Sequence, residues 1–255
     1  MISRYEAYMD GIALSSIDPS ICVLNITPGD IGPSFTLKNV AGRDGSIIAQ
    51  KRDEKTSVTI EFEIHEYDIV KRQRICQLVQ LWADGSVLKT SDRPEQRLKC
   101  VCEQYPVVDA KHWTNPVTMT FAAYNPPYWE EENPVAVSLS AGTSGNASKF
   151  IPGNVKKTAI SAVLTAGAGI SAFSVTANGN TLSFTGLSLS SGDIVTIDHD
   201  EYMNLRVRKG TTSLLGKRTG SSADDLTVDS GKINTFSFTA SASASVVFTA
   251  KGWWK

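Results

Sequence analysis

The cleanest pattern in the chain is a strict alternation over residues 57–64. Val58, Ile60, Phe62 and Ile64 point one way, and Ser57, Thr59, Glu61 and Glu63 the other. A repeat of two is that of a half-buried β-strand. Residues 117–122 repeat it, with Val117, Met119 and Phe121 opposite two threonines. Both strands need a cover for their apolar sides, and residues 67–82 supply one. There Ile75, Leu78, Val79 and Trp82 fall at i, i+3, i+4 and i+7, the stripe of an amphipathic helix, and Gly85 is a suitable stop. The helix is expected on the apolar side of the sheet, leaving the Thr59, Glu61 and Glu63 face open. Its basic run Lys71-Arg72-Gln73-Arg74 reads as a solvated outer face rather than a phosphate site. Further strands are predicted at 21–26, 34–38, 46–50, 87–90 and 97–103. Two loops lie between them: glycine-bracketed Ala41-Gly42-Arg43-Asp44-Gly45, read as a hairpin tip, and Ser91-Asp92-Arg93-Pro94, read as a turn. The sum is an α+β domain, mostly antiparallel sheet with one helix.

At Asn125-Pro126-Pro127-Tyr128-Trp129 the alphabet changes. Charges thin out, all four cysteines lie behind, and short alternating runs separated by small polar turns follow. Strands are predicted at 135–139, 159–165, 171–176, 181–185, 193–199, 205–208, 235–240 and 245–249. Asn178-Gly179 carries a hairpin signal between two of them. The stretch Ala240-Ser241-Ala242-Ser243-Ala244-Ser245 is read as a hairpin between edge-like strands. Regular short strands without helices indicate an antiparallel β-sandwich of jelly-roll type. The chain as a whole is therefore expected to be mainly β, with a first domain over 1–128 and a second over 129–255.

Composition narrows the function. A net charge of −1 lacks the clustered basic excess of a protein that grips nucleic acid. The first residues have no uninterrupted apolar core of a signal peptide, and no run is long enough to span a bilayer, so folding in a cytosol and no membrane insertion are expected. Cys100 and Cys102 would share one strand face with Leu98, a poor geometry for a disulfide. No second close pair completes a zinc set, so the cysteines, with Cys22 and Cys76, read as buried packing residues.

Candidate chemistry is sparse. Asp198, Asp200 and Glu201 are the one dense group of carboxylates and offer oxygen donors for Ca²⁺, against the plainer reading of a solvated strand-to-turn transition. Trp129, Trp253 and Trp254 would stack on sugars or, alternatively, anchor an interface or finish a core. The histidines are dispersed, and no nucleophile elbow, zincin motif, Walker loop or dinucleotide fingerprint is present. No catalytic residue, cofactor or metal is assigned, and an adaptor that positions other molecules is the expected role.

In order, Gly42-Arg43-Asp44-Gly45-Ser46, the 57–64 strand, a helix, Val87-Leu88, Asp92-Arg93-Pro94, the 97–103 strand and Asn125-Pro126-Pro127-Tyr128-Trp129 form a specific succession. Ile151-Pro152-Gly153, Leu182-Ser183-Phe184 and Ser191-Gly192-Asp193-Ile194-Val195-Thr196-Ile197-Asp198 continue it. Together they resemble the distal tail protein (Dit) family of long-tailed bacteriophages. The resemblance implies a homo-hexameric ring at the virion's tail tip. N-terminal domains would form the belt around a channel, and galectin-like or carbohydrate-module-like C-terminal sandwiches would project outward. Such a ring joins the tail tube protein to a tail-associated lysin or spike protein, often carries receptor-binding proteins, and meets DNA only in passage. A channel should not hold phosphates, because each Lys or Arg contact adds counterion-release affinity. Thr59, Glu61 and Glu63 are accordingly the expected channel lining, and Arg43, Asp44, Asp92 and Arg93 the expected ring or tube contacts. The alternative is a carbohydrate-binding protein for host-surface adhesion.

Overall fold

The computed structural model describes residues 5–29, 33–39, 46–108, 116–220 and 222–255. The chain forms two compact units, one comprising Met1–Trp129 with Lys255 and the other Glu130–Trp254. It is mainly β, with a single α-helix among the described residues.

In the first unit the strands are β1 (Ala7–Met9), β2 (Ile12–Ala13), β3 (Ile21–Pro28), β4 (Pro33–Asn39), β5 (Ser46–Asp53) and β6 (Thr56–Ile64). Helix α1 (Ile69–Ala83) follows, then β7 (Val87–Thr90), β8 (Arg93–Lys99), β9 (Val101–Gln104) and β10 (Val117–Ala123). One antiparallel sheet runs β3-β6-β10-β9, another contains the order β2-β1-β7-β8, and β4 and β5 pair only with each other. Along β6 the alternation read from the sequence is realised in full. Val58, Ile60 and Phe62 have no solvent exposure, and Ser57, Thr59, Glu61 and Glu63 are half-buried on the other side.

Helix α1 covers the apolar side. Asp68 caps it, accepting hydrogen bonds from the Val70 amide at 2.9 Å and the Lys71 amide at 3.4 Å. Trp82 packs edge-on against Phe121, centroids 6.1 Å apart, and donates its indole N–H to the Ile12 carbonyl at 2.8 Å. The buried stripe is Arg72, Ile75, Cys76, Val79, Trp82 and Ala83. It is therefore rotated from the expected one: Leu78 is exposed, and Arg72, expected in solvent, lies on the sheet side. A long Arg stem is apolar enough to join such a stripe.

The strand expected over 97–103 is divided at Cys100, where β8 gives way to β9 and the chain leaves one sheet for the other. The Cys100 amide donates to the Ser86 carbonyl at 3.0 Å at this crossing. Side-chain alternation continues through it, which is why the sequence shows no break. The expected 91–94 turn is tighter than read: Thr90 pairs directly with Arg93, so Ser91 and Asp92 alone form the turn.

The chain passes into the second unit through β11 (Trp129–Glu131). There follow β12 (Val135–Ile151), β13 (Thr158–Ala159), β14 (Ser161–Ala166), β15 (Ile170–Ala177) and β16 (Asn180–Leu189). Then come β17 (Ile194–His199), β18 (Leu205–Lys209), β19 (Thr212–Ser213), β20 (Thr227–Val228), β21 (Lys232–Ala250) and β22 (Trp253–Trp254). The organising element is the ribbon β12–β21, paired antiparallel from Val135↔Ala250 to Ile151↔Lys232. On its other edge β21 pairs with β15 over Phe236–Ala240 and with β14 over Ala244–Thr249. Strand β16 continues one arm, and β17, β18 and β19 the other. Both arms contribute to one core, in which Phe173, Phe184, Phe236, Phe238 and Phe248 are buried.

The hairpin expected at 240–245 is absent, because β21 runs through it. Its even positions face inward from Asn234 to Ala250, with Ala240 and Ala242 packed against the core and Ala244 fully buried. Alanines on the inner side leave room for the strand to pass from one arm to the other. The register shifts opposite, around Gly142, supply the curvature that bulges give a sheet. The Asn178-Gly179 turn forms as read, both residues at positive φ, joining β15 to β16.

Candidate functional surfaces

The polar face of the β3-β6-β10-β9 sheet is built by register. Thr59 lies opposite Thr27 and Thr120, and Glu61 opposite Asn25 and Thr118. Directly opposed residues share a sheet face, so these side chains form a patch of hydroxyls, one amide and carboxylates. Thr59 and Thr120 are linked Oγ1 to Oγ1 at 3.2 Å, and the Asn25 amide donates to Thr27 Oγ1 at 3.1 Å. Glu63 meets His65 at 3.3 Å. No lysine or arginine stands opposite Glu61 or Glu63 in the pairing of the described strands. The structure thus gathers Thr59, Glu61 and Glu63 on one surface, where hydroxyls hold one another and Glu63 lies against His65.

Asp92 and Arg93 sit at the β7–β8 turn and are employed differently. Asp92 is exposed. The Arg93 guanidinium lies over the Trp129 ring, 4.9 Å from its centroid, and donates to Gln96 Oε1 at 3.3 Å. Trp129 itself is buried, so Arg93 is a packing cation. Arg43 and Asp44 lie outside the described residues. The turn is tied down by the Ser91 amide, which donates to the Glu6 carbonyl at 2.9 Å, and by Ser91 Oγ, which accepts from the Glu6 amide at 2.9 Å.

Sequence reasoning did not anticipate two further surfaces. The β4–β5 ribbon joins no other strand and leaves Phe35, Leu37 and Ile48 about half exposed or more. A two-stranded ribbon alone is marginal in water. The outer side of α1 carries a second apolar stripe, Val70, Leu78 and Leu81, that the assignment of Leu78 to the core concealed.

In the second unit the carboxylate group is engaged by protein partners. Asp198 accepts from Arg206 Nε at 3.0 Å and Nη2 at 3.1 Å, and from Arg208 Nη2 at 2.9 Å. Asp200 accepts from the Tyr202 and Asn204 amides at 2.9 Å each and from Asn204 Nδ2 at 3.1 Å. The Asn204 backbone N–H is the first cause holding the Asp200 carboxyl below its ordinary range. His199 Nε2 lies 2.6 Å from Asp225 Oδ1. Among the described residues no group of three His, Cys, Asp or Glu is arranged around a metal position. Of the tryptophans, Trp129 and Trp253 are buried, and the half-buried Trp254 donates its indole N–H to Glu131 at 2.5 Å. The four thiols are free, three of them buried, and burial pushes Cys100 up to about 12. No described helix is long and apolar enough to cross a membrane.

Neither protein-family models nor curated protein sequences yield a match. Solved structures do. The Dit protein of phage SPP1, described as a paradigm of the hub adsorption apparatus in phages infecting Gram-positive bacteria, superposes with a TM-score of 0.72. The match covers 97% of this chain and 98% of that one at 13% identity. A chain of the phage P2 baseplate in its Ca-activated conformation matches more loosely, with a TM-score of 0.46 at 11% identity over 99% of this chain and 98% of its own. The fold expected from the ordered motifs is the fold found: both units follow the architecture of a phage distal tail hub protein.

Proposed function

We propose that this chain is a structural component of a phage tail tip, a hub subunit that closes with copies of itself into a ring, six in number, around a bore. The observation that carries the reading is the near full-length likeness of fold to SPP1 Dit, with both units included. The first unit supplies what such a ring needs. Its helix and sheet enclose a core, while the sheet's outer face bears Thr59, Glu61 and Glu63, with no lysine or arginine opposite them in the pairing of the described strands. A surface of this kind passes DNA without holding its phosphates. In this reading it lines the channel, and α1 faces away from it.

Heterologous contacts, each copy offering one surface to the next, generate a ring when the rotation closes. The β4–β5 ribbon, with Phe35, Leu37 and Ile48 uncovered, is the element whose stability gains most from such a contact. Arg43 and Asp44, which precede β5 in the sequence, and the exposed Asp92 at the β7–β8 turn are the positions proposed to meet a neighbouring copy or the tail tube protein. Arg93 acts there indirectly, by holding the turn on Trp129. A tail-associated lysin or spike protein follows below the ring, and receptor-binding proteins attach at its periphery. The chain itself performs no chemistry. The rival adhesin reading rested on three tryptophans, of which Trp129 and Trp253 are buried and Trp254 is half-buried and bonded to Glu131.

Native mass determination of the purified chain, followed by negative-stain imaging, tests the ring. Hexamers with a central opening are expected; a monomer at high concentration that also fails to join tube and spike components would overturn the proposal. Phage carrying Glu61→Lys with Glu63→Lys should assemble tails normally and eject DNA several-fold more slowly. Unchanged ejection would remove the channel assignment while leaving the ring intact.

A further inference from the structure

We infer that the outer face of helix α1 is a docking site for an acidic amphipathic helix of a partner protein. Val70, Arg74, Leu78 and Leu81 are spaced by four, four and three residues, which places them in one line along a helix. Val70 is 69% exposed, Leu78 44% and Leu81 70%. This stripe lies away from Ile75, Val79 and Trp82, which hold the helix to its own sheet. The helix is thus apolar on two sides, one used and one uncovered. A helix that only covered a core would be polar on its outward side.

Charge selects the occupant. Within the stripe the polar members are Arg74 and the flanking Lys71, and neither is ion-paired to a carboxylate among the described residues. The acidic residues at the helix ends are already committed. Asp68 caps the first turn, Glu66 accepts from the Asp68 amide, and Asp84 accepts from the Tyr105 hydroxyl. A partner that places apolar side chains at three- and four-residue spacing, flanked by Glu or Asp, satisfies both the stripe and its cations. Size agrees: three exposed apolar side chains on one helix offer less than the ~800 Å² per partner that stable complexes bury. The stripe suits a single laid-on helix rather than a whole subunit face. A second copy of this chain is a poorer fit, because its uncovered β4–β5 ribbon carries Lys38 and Arg52 and would bring like charges together. The inference does not depend on ring closure.

The test uses the full chain and two fluorescein-labelled synthetic helices with identical leucines at three- and four-residue spacing, one flanked by glutamates and the other by lysines. Fluorescence anisotropy should show the glutamate peptide binding at least tenfold tighter than the lysine peptide. Val70→Ser with Leu81→Ser should weaken it at least tenfold, and Arg74→Glu should narrow or reverse the preference. Both variants change exposed side chains, and unchanged far-UV circular dichroism verifies that the fold is kept. Equal binding of the two peptides, or binding indifferent to Val70 and Leu81, overturns the inference. So does Leu81-dependent self-association without peptide, or Leu81-dependent binding to phosphatidylserine vesicles in preference to either peptide.

Discussion

The two units solve the problem of burying a β-sheet in opposite ways. The first lays a separate helix on its sheet and sends the chain between two sheets at Cys100. The second folds one sheet over itself along the β12–β21 ribbon and fills the fold with phenylalanines. Most of the exposed large hydrophobic residues described belong to the first unit. A sheet that covers itself leaves little apolar surface over. A sheet covered by a helix leaves the helix's far side, the polar sheet face and a free-standing ribbon, all open to contacts with other chains. The first unit thus leaves more large hydrophobic side chains uncovered than the second.

That contrast has a convenient probe, because all four cysteines precede residue 129 and thiol labelling reports the first unit alone. The largest effect is expected in the second unit. Phe238 is 1% exposed in its core, and Phe238→Ala should cost about 3–5 kcal/mol. In urea followed by circular dichroism, one part of the transition should move to lower denaturant while the thiol-labelling curve stays in place. If both curves move together, the units do not unfold independently and the contrast is blunted.

A smaller effect is expected in the first unit. Asp68→Ala removes the helix cap and should cost about 1 kcal/mol, seen as earlier thiol labelling with the remaining transition unmoved. A loss well beyond that would mean that α1 carries more of the unit than its covering role implies.

The smallest effect concerns acid. Lys209, then the Ser190 amide, holds the Asp193 carboxyl below its ordinary range, and the Asn204 amide does the same for Asp200. A carboxyl depressed in the folded state contributes stability that is present above its unfolded value, about 3.9, and lost as pH falls through the lower folded value. The second unit should therefore lose stability below about pH 4. Asp193→Asn should lower the melting temperature at neutral pH while flattening its decline between about pH 4 and pH 2. A decline as steep as that of the wild type would show that other groups set the acid limb.

Much of this architecture was legible because period two survives in the residues themselves. The strands read at 57–64 and 117–122 became Thr56–Ile64 and Val117–Ala123, the helix read at 67–82 became Ile69–Ala83, and the Asn-Gly turn formed where it was read. The errors have specific causes. Residues 75, 78, 79 and 82 make an acceptable stripe, but so do 72, 75, 76, 79 and 83; a charged head on Arg72 hid the second choice, which packing preferred. The strand read over 97–103 kept its alternation while changing sheets, since the pleat is indifferent to the neighbour it pairs with. The Ala/Ser stretch reads as a hairpin because apolar strand residues flank it on both sides, although its strict small-apolar and polar alternation already has a strand's period. Of the candidate site, the Thr59, Glu61 and Glu63 face followed from one strand's pattern. The stacking of Arg93 on Trp129 joins residues 36 positions apart and no local pattern announces it.

The junction of the second unit has a consequence of its own. The Glu131 amide donates to the Gly252 carbonyl at 2.9 Å, and Trp254 reaches back to Glu131, so the segment departs and returns at a single spot. A stretch of chain clasped in this way at its base behaves as a cassette. Another fold with equally close ends could be grafted in its place, and the second unit could change wholesale while the first keeps its own path.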